Sequence, residues 1–79
     1  MTLDSAILKA TIYHTMIGAK VKNNKSGKTR VVIRITAYRK ELDEWDIAVF
    51  FEPKHRINTN KPDCFLSKFI TEYETISEV

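Results

Sequence analysis

Apolar and polar side chains alternate along the segment from Thr29 to Arg39, and this pattern constrains the fold more than any other. One side of an extended chain would carry Val31, Ile33, Ile35 and Ala37. The other side would carry Arg30, Val32, Arg34, Thr36 and Tyr38. Alternation with period two, rich in β-branched residues, is typical of a half-buried strand. The pattern therefore predicts a β-strand over residues 29–39.

The segment from Trp45 to Glu52 repeats this alternation and predicts a second strand. Its apolar face would hold Trp45, Ile47, Val49 and Phe51. Burying both apolar faces together puts Ile35 beside Val49. This register predicts a connecting loop of three or five residues rather than two, because a one-residue slip would send the two apolar sets to opposite faces. Arg34 would then lie beside Phe50 on an exposed face.

A shorter strand is predicted over residues 19–23, before a polar turn that ends with Gly27 and Lys28. Gly27 suits a turn because glycine adopts a positive φ without steric cost. Residues 19–23, 29–39 and 45–52 then form a three-stranded antiparallel β-meander.

Residues 6–17 fit two different structures. A strand would place on one face Ala6, Leu8, Ala10, Ile12 and Met16. A helix would group Leu8, Ile12 and Met16 into one stripe. The helix would put Lys9 inside the apolar sector and contain several β-branched residues, so a strand extension is the favoured prediction and a helix is the alternative. Gly18 would be a bulge in the strand or the residue just past the helix.

Apolar residues recur at spacings of three and four between residues 62 and 77, as on one side of an α-helix. They are Phe65, Leu66, Phe69, Ile70, Tyr73 and Ile76. Pro62 suits the first turn, and Asp63 favours the positive end of the helix dipole. These features predict a C-terminal helix over residues 62–77 that packs on the sheet. The predicted fold class is α+β.

The chain has 79 residues, which predicts one small domain over residues 1–79. No apolar run approaches the roughly 20 residues of a membrane span, and the first residues lack the features of a signal peptide. Cys64 is the one cysteine in the sequence, so an internal disulfide is excluded. We therefore expect a cytoplasmic protein that does not cross a membrane.

The sequence contains no recognisable catalytic or metal-binding motif. His14 and His55 are far apart, and one cysteine cannot supply a zinc signature. The segment around Gly27 lacks the spacing of a phosphate-binding loop. We expect a protein that is not an enzyme and binds no cofactor or metal.

Charge is segregated along the chain. Residues 1–40 hold nine Lys and Arg against one acid, Asp4, whereas residues 41–79 hold four against nine acids. Clustered cations bind phosphates with salt-sensitive affinity, and nearby aromatic groups such as Tyr38 and Phe50 would stack on bases or pack against sugars. The pattern predicts non-catalytic nucleic-acid binding through an exposed sheet face. The candidate binding residues are Lys20, Lys22, Lys25, Lys28, Arg30, Arg34, Tyr38, Arg39, Lys40 and Phe50.

The same charge segregation suits a second hypothesis, in which the chain is a protein-interaction module or an inhibitor. Such a module would dock on a partner protein through the face or an unpaired edge of its sheet. A homodimer formed through Val32, Tyr38 and Phe50 is a further arrangement that the pattern allows. Nuclease-sensitive co-purification would favour nucleic acid over a protein partner.

Overall fold

The computed structural model of the chain describes residues 1–52 and 61–77, where five strands form one antiparallel sheet. The helical elements are α1 (Leu3–Tyr13), a 3₁₀ turn (His14–Met16) and α2 (Leu66–Glu72). The strands are β1 (Lys20–Asn23), β2 (Thr29–Glu41), β3 (Glu44–Glu52), β4 (Cys64–Phe65) and β5 (Tyr73–Ser77). Their spatial order is β4-β3-β2-β1-β5. The predicted α+β class is confirmed.

The described sheet has two more strands than the sequence predicted. β1, β2 and β3 lie close to the predicted strands at 19–23, 29–39 and 45–52, and β2 pairs antiparallel with both neighbours. The prediction of a three-stranded sheet is wrong, because β4 pairs with β3 and β5 pairs with β1. Both added strands come from the segment that was predicted to be a single helix.

The predicted helix over residues 62–77 is wrong at both ends, because α2 has only seven residues. Phe65 before α2 and Tyr73 after it have extended backbone, with ψ values of 163° and 146°. Asp63 accepts a hydrogen bond at its Oδ2 atom from the backbone N–H of Phe51, over 2.8 Å, and so ties this segment to β3. β4 pairs with β3 at one edge of the sheet and β5 pairs with β1 at the opposite edge. This strand pairing overrides the helical spacing of the apolar residues.

Residues 6–17 are mainly helical, so the favoured strand extension is wrong and the helix alternative is correct. The Thr2 hydroxyl caps the first turn of α1 by accepting a hydrogen bond from the backbone N–H of Ser5 over 3.2 Å. Ala6 and Ala10 are buried against the sheet, where their small side chains allow close approach. Burial of this face outweighs the weak helix propensity of the β-branched residues.

The hairpin between β2 and β3 has a two-residue turn, Leu42–Asp43, between the paired residues Glu41 and Glu44. The predicted loop of three or five residues is therefore wrong, although Ile35 lies beside Val49 as expected. A register shift between Arg39 and Glu41 reconciles the two findings, because one extra residue restores the parity that a short turn would break.

A second register shift lies between Val32 and Arg34 and makes Ile33 the extra residue of a β-bulge. Val32 is fully buried, whereas Ile33 is 37% exposed. The predicted buried face of β2 is thus wrong at its start, where Val32 takes the place in the core that the alternation assigned to Ile33. From Ile35 onward the predicted faces are correct.

The two faces of the sheet differ in what covers them. The first face packs against α1 and α2, and its core cluster includes Ala6, Val21, Val32, Ile35, Ile47, Val49, Phe51, Leu66 and Phe69. Strand alternation and pairing place the following residues on the opposite side, the second face: Lys20, Lys22, Arg34, Thr36, Tyr38, Asp46, Ala48, Phe50 and Phe65. In the described ranges, no helix is long and apolar enough to cross a membrane.

Candidate nucleic-acid interface

Three cations of the predicted interface lie on the second face and form no ion pair with an acid in the described ranges: Lys20, Lys22 and Arg34. Lys20 and Lys22 flank the buried Val21, so their side chains leave the sheet on the side opposite the core. The bulge at Ile33 brings Arg34 to the same side. These residues form a cationic row across β1 and β2.

Phe50 is on the second face, as the alternation predicted, but it is only 3% exposed. The guanidinium carbon of Arg34 lies 5.5 Å from the centre of the Phe50 ring, in a cation–π contact. The prediction that Phe50 is an exposed group, available for stacking or packing against nucleic acid, is wrong. Alternation predicts which face of the sheet a side chain is on, but not whether other side chains bury it there. Phe50 contributes buried apolar area instead.

Tyr38 and Phe65 form an aromatic pair on the second face. Their ring centres are 5.7 Å apart with an interplanar angle of 66°, an edge-to-face arrangement, and both residues are half-buried. Lys40 Nζ lies 4.8 Å from the centre of the Phe65 ring and 3.7 Å from Asp46 Oδ2. Tyr38 and Lys40 were predicted. Phe65 was missed because a two-residue strand is too short to show alternation.

Lys25 and Lys28 lie in the turn between β1 and β2. The Asn23 side-chain oxygen shapes this turn by accepting hydrogen bonds from the backbone N–H groups of Lys25, at 2.8 Å, and Ser26, at 3.0 Å. Lys25 Nζ lies 2.9 Å from Glu72 Oε1, and this hydrogen bond raises the pKa of Lys25 and lowers the pKa of Glu72. Lys25 therefore joins the turn to the end of α2. Lys28 is exposed.

Arg30 and Arg39 lie on β2, with their side chains on the first face of the sheet. Arg30 is paired with Val21 and Arg39 with Trp45, and residues directly opposite in an antiparallel pair share a face. Arg30 is half-buried and Arg39 is exposed. The structure therefore does not bring all the predicted cations to one side of the sheet.

Acidic residues also lie on the second face. Val31 lies across from Lys20 and so is also on the second face, where Glu52 is paired with Val31 and Glu74 with Lys22. Asp46 lies beside Tyr38 and contacts Lys40. Basic and acidic residues that are separated along the sequence are thus only partly separated on the folded protein. The cationic row is the most positive part of the second face.

Other reactive groups do not converge on this surface. Cys64 is buried, and loss of solvation raises the pKa of its thiol to about 12, so the thiol is neutral near pH 7. In the part of the chain that the structure describes, no three His, Cys, Asp or Glu residues are grouped as metal ligands would be.

Comparisons with known protein families, with curated proteins and with solved structures found no match.

Proposed function

We propose that the protein binds single-stranded nucleic acid, without catalysing a reaction, through the second face of its sheet. The observation that carries this proposal is that the second face holds both the half-buried Tyr38–Phe65 pair and, nearer the start of β2, cations that form no ion pair in the described ranges, Lys20, Lys22 and Arg34. α1 and α2 pack on the first face, so the aromatic pair faces away from them.

Stacking on Tyr38 and Phe65 supplies the contacts to bases. Each base stacked on an aromatic side chain contributes about 1–3 kcal/mol, with little dependence on sequence. A sheet with helices on one face and aromatic groups on the other is a layout that single-stranded RNA binding uses. Lys40, above the Phe65 ring, supplies a cation next to a stacked nucleotide.

The cationic row supplies the contacts to phosphates. Each phosphate neutralised on a single strand contributes about −0.7 to the slope of log affinity against log salt concentration. Contacts from Lys20, Lys22 and Arg34 together give an expected slope of about −2. Glu74 beside Lys22 reduces the positive potential at that end of the row.

Fluorescence anisotropy with labelled oligo(dT) and oligo(U), at several salt concentrations, tests the proposal. The double variant Lys20→Glu with Lys22→Glu should lose at least tenfold in affinity and most of the salt slope. Its matched control is Lys9→Glu with Arg39→Glu, which changes the net charge equally at exposed positions outside the second face. Equal losses in the two double variants, or no salt-dependent binding by the parent protein, would contradict the proposal.

Phe65→Ala and Phe65→Leu separate stacking from packing. Leucine keeps most of the apolar volume but has no π surface. Both variants should therefore weaken oligonucleotide binding by roughly 5- to 100-fold, because each stacked base contributes about 1–3 kcal/mol. Full affinity in Phe65→Leu would show that Phe65 only packs. Comparing oligo(dT) with oligo(U) distinguishes DNA from RNA preference.

A further inference from the structure

β2 is much longer than the strand that pairs with its outer edge. β2 spans 13 residues, but β1 pairs only with the segment from Thr29 to Val31. The backbone contacts end at Val32, whose carbonyl accepts from the N–H of Gly18 over 2.6 Å and whose N–H donates to the carbonyl of Ala19 over 3.0 Å. Beyond Val32, this edge of β2 pairs with no strand in the described ranges.

His14 shows which backbone groups point out of the open edge. Its Nε2 atom lies 3.1 Å from the carbonyl oxygen of Ile35, so this carbonyl points away from β3. Backbone groups alternate in direction along an antiparallel strand. Ala37 and Arg39 therefore also point their N–H and C=O groups outward. Ala37 and Arg39 therefore offer hydrogen-bonding positions for one more strand, whereas the carbonyl of Ile35 is already bonded to His14.

A cavity of about 120 Å³ opens between α1 and this edge. It is lined by Ile7, Ala10, Thr11, His14, Thr36 and Ala37. Ile7 is 50% exposed, so the apolar wall from α1 is accessible to solvent. Half of the lining residues are aliphatic, and the size of the cavity suits one aliphatic side chain.

The exposed strand beside this cavity is cationic. Arg34 precedes the exposed edge and Arg39 ends it, and neither forms an ion pair with an acid in the described ranges. Opposite charges directly across an antiparallel pair are stabilising, whereas like charges are destabilising. An added strand with acidic residues on either side of the aliphatic residue is therefore complementary to β2.

We propose that the groove between α1 and the edge of β2 from Ile35 to Arg39, the α1–β2 groove, binds an extended segment of a partner protein. The segment adds a strand to the sheet, places one aliphatic side chain in the cavity and carries acidic residues beside it. In this mode main-chain hydrogen bonds supply affinity and the side-chain cavity supplies specificity. Arg34 belongs to both surfaces, whereas Lys20 and Lys22 lie on the second face alone, so variants of these two lysines separate the two sites.

Selection from a phage-displayed library of random linear peptides provides the probe. Enriched peptides should share an aliphatic residue flanked by Asp or Glu. A synthetic copy, titrated into ¹⁵N-labelled protein, should shift the backbone amides of residues 35–39 and 7–14. The same peptide N-methylated at the amides that face β2 should bind at least tenfold more weakly, because it cannot pair as a strand.

Thr11→Trp fills the mouth of the cavity and should abolish binding of the synthetic peptide. Thr15→Trp is the matched control, since Thr15 is exposed and outside the cavity lining, and it should bind normally. Arg39→Pro provides a second variant: it removes an outward N–H without removing a bond to β3, and it should also weaken peptide binding. Lys20→Glu with Lys22→Glu should leave peptide binding unchanged, which separates this site from the second face.

Absence of any enriched peptide, or amide shifts confined to other parts of the sheet, would overturn the proposal. Full binding by both Thr11→Trp and Arg39→Pro would do the same. Sedimentation that shows a dimer, with slow hydrogen exchange at Ala37 and Arg39, would identify a second copy of the chain as the occupant and would also overturn it.

Discussion

His14 Nε2 lies 3.1 Å from the carbonyl oxygen of Ile35, so a side chain from the end of the helical segment satisfies a backbone group at the open edge of β2. A carbonyl only accepts hydrogen bonds, which means that Nε2 carries the hydrogen. The next outward-pointing groups along β2 are those of Ala37, a residue that lines the cavity. His14 thus lies at the end of the α1–β2 groove where the edge of β2 is still hydrogen-bonded to a side chain of the protein itself.

His14→Ala should lower the free energy of unfolding by about 0.5–1.5 kcal/mol, the usual net contribution of one hydrogen bond. Urea denaturation measures this change. Thr15→Ala, an exposed neighbour, is the control and should be close to neutral. Equal stability of the two variants would show that the bond to Ile35 contributes nothing.

The alternating strands could be predicted because packing against the helices holds every second residue of β3 in the core. The bulge at Ile33 and the register shift near Lys40 could not be predicted, because a bulge depends on how two strands pair and not on the side chains of one. The helix predicted over residues 62–77 was wrong for a related reason, because strand pairing decides the structure there. Its apolar spacing fits a helix, but Tyr73 to Ser77 pair with β1 instead.

The candidate interface was predicted in part. Lys20 and Lys22 were predicted from the cluster of cations, and Arg34 and Tyr38 from alternation; all four lie on the second face. Phe65 required knowledge of β4, which forms only by pairing with β3. The open edge of β2 did leave a signal in the sequence: a predicted strand at 29–39 is much longer than its predicted neighbour at 19–23.

Gly27 has a φ of +75° in the turn between β1 and β2, and nothing lies within 4 Å of where a Cβ would be. Gly27→Ala should therefore cost only backbone strain, about 1 kcal/mol. Gly27→Asn should cost less, because asparagine tolerates this conformation better. Chemical denaturation of both variants measures the difference, and an alanine variant as stable as the parent would contradict the assigned turn conformation.

Phe50 and Phe65 should respond differently to truncation. Phe50→Ala removes a ring that is 3% exposed, and losses of about 3–5 kcal/mol are typical for buried aromatic residues. A domain of this size has little stability to lose, so the variant should be largely unfolded at room temperature. Phe65→Ala, at a half-buried position, should remain folded. Thermal melting of the two variants checks this order, and a stable Phe50→Ala protein would contradict the burial of that ring.

Cys64 should make the protein less stable at high pH. Burial raises the pKa of its thiol from 9.0 to about 12 in the folded state. Well below pH 9 the thiol is protonated in both states and contributes no pH dependence. Between these two pKa values the unfolded chain loses the proton while the folded chain keeps it, so the free energy of unfolding falls as pH rises.

The matched variant for this effect is Cys64→Ala, which keeps a small buried side chain and removes the titrating group. All other ionisable groups are the same in both proteins, so the difference between their stability curves from pH 8 to 11 isolates the thiol. The parent should lose stability more steeply over this range, and its thiol should react with iodoacetamide at pH 8 only after unfolding. Parallel curves, together with rapid alkylation of the folded protein, would show that Cys64 is accessible.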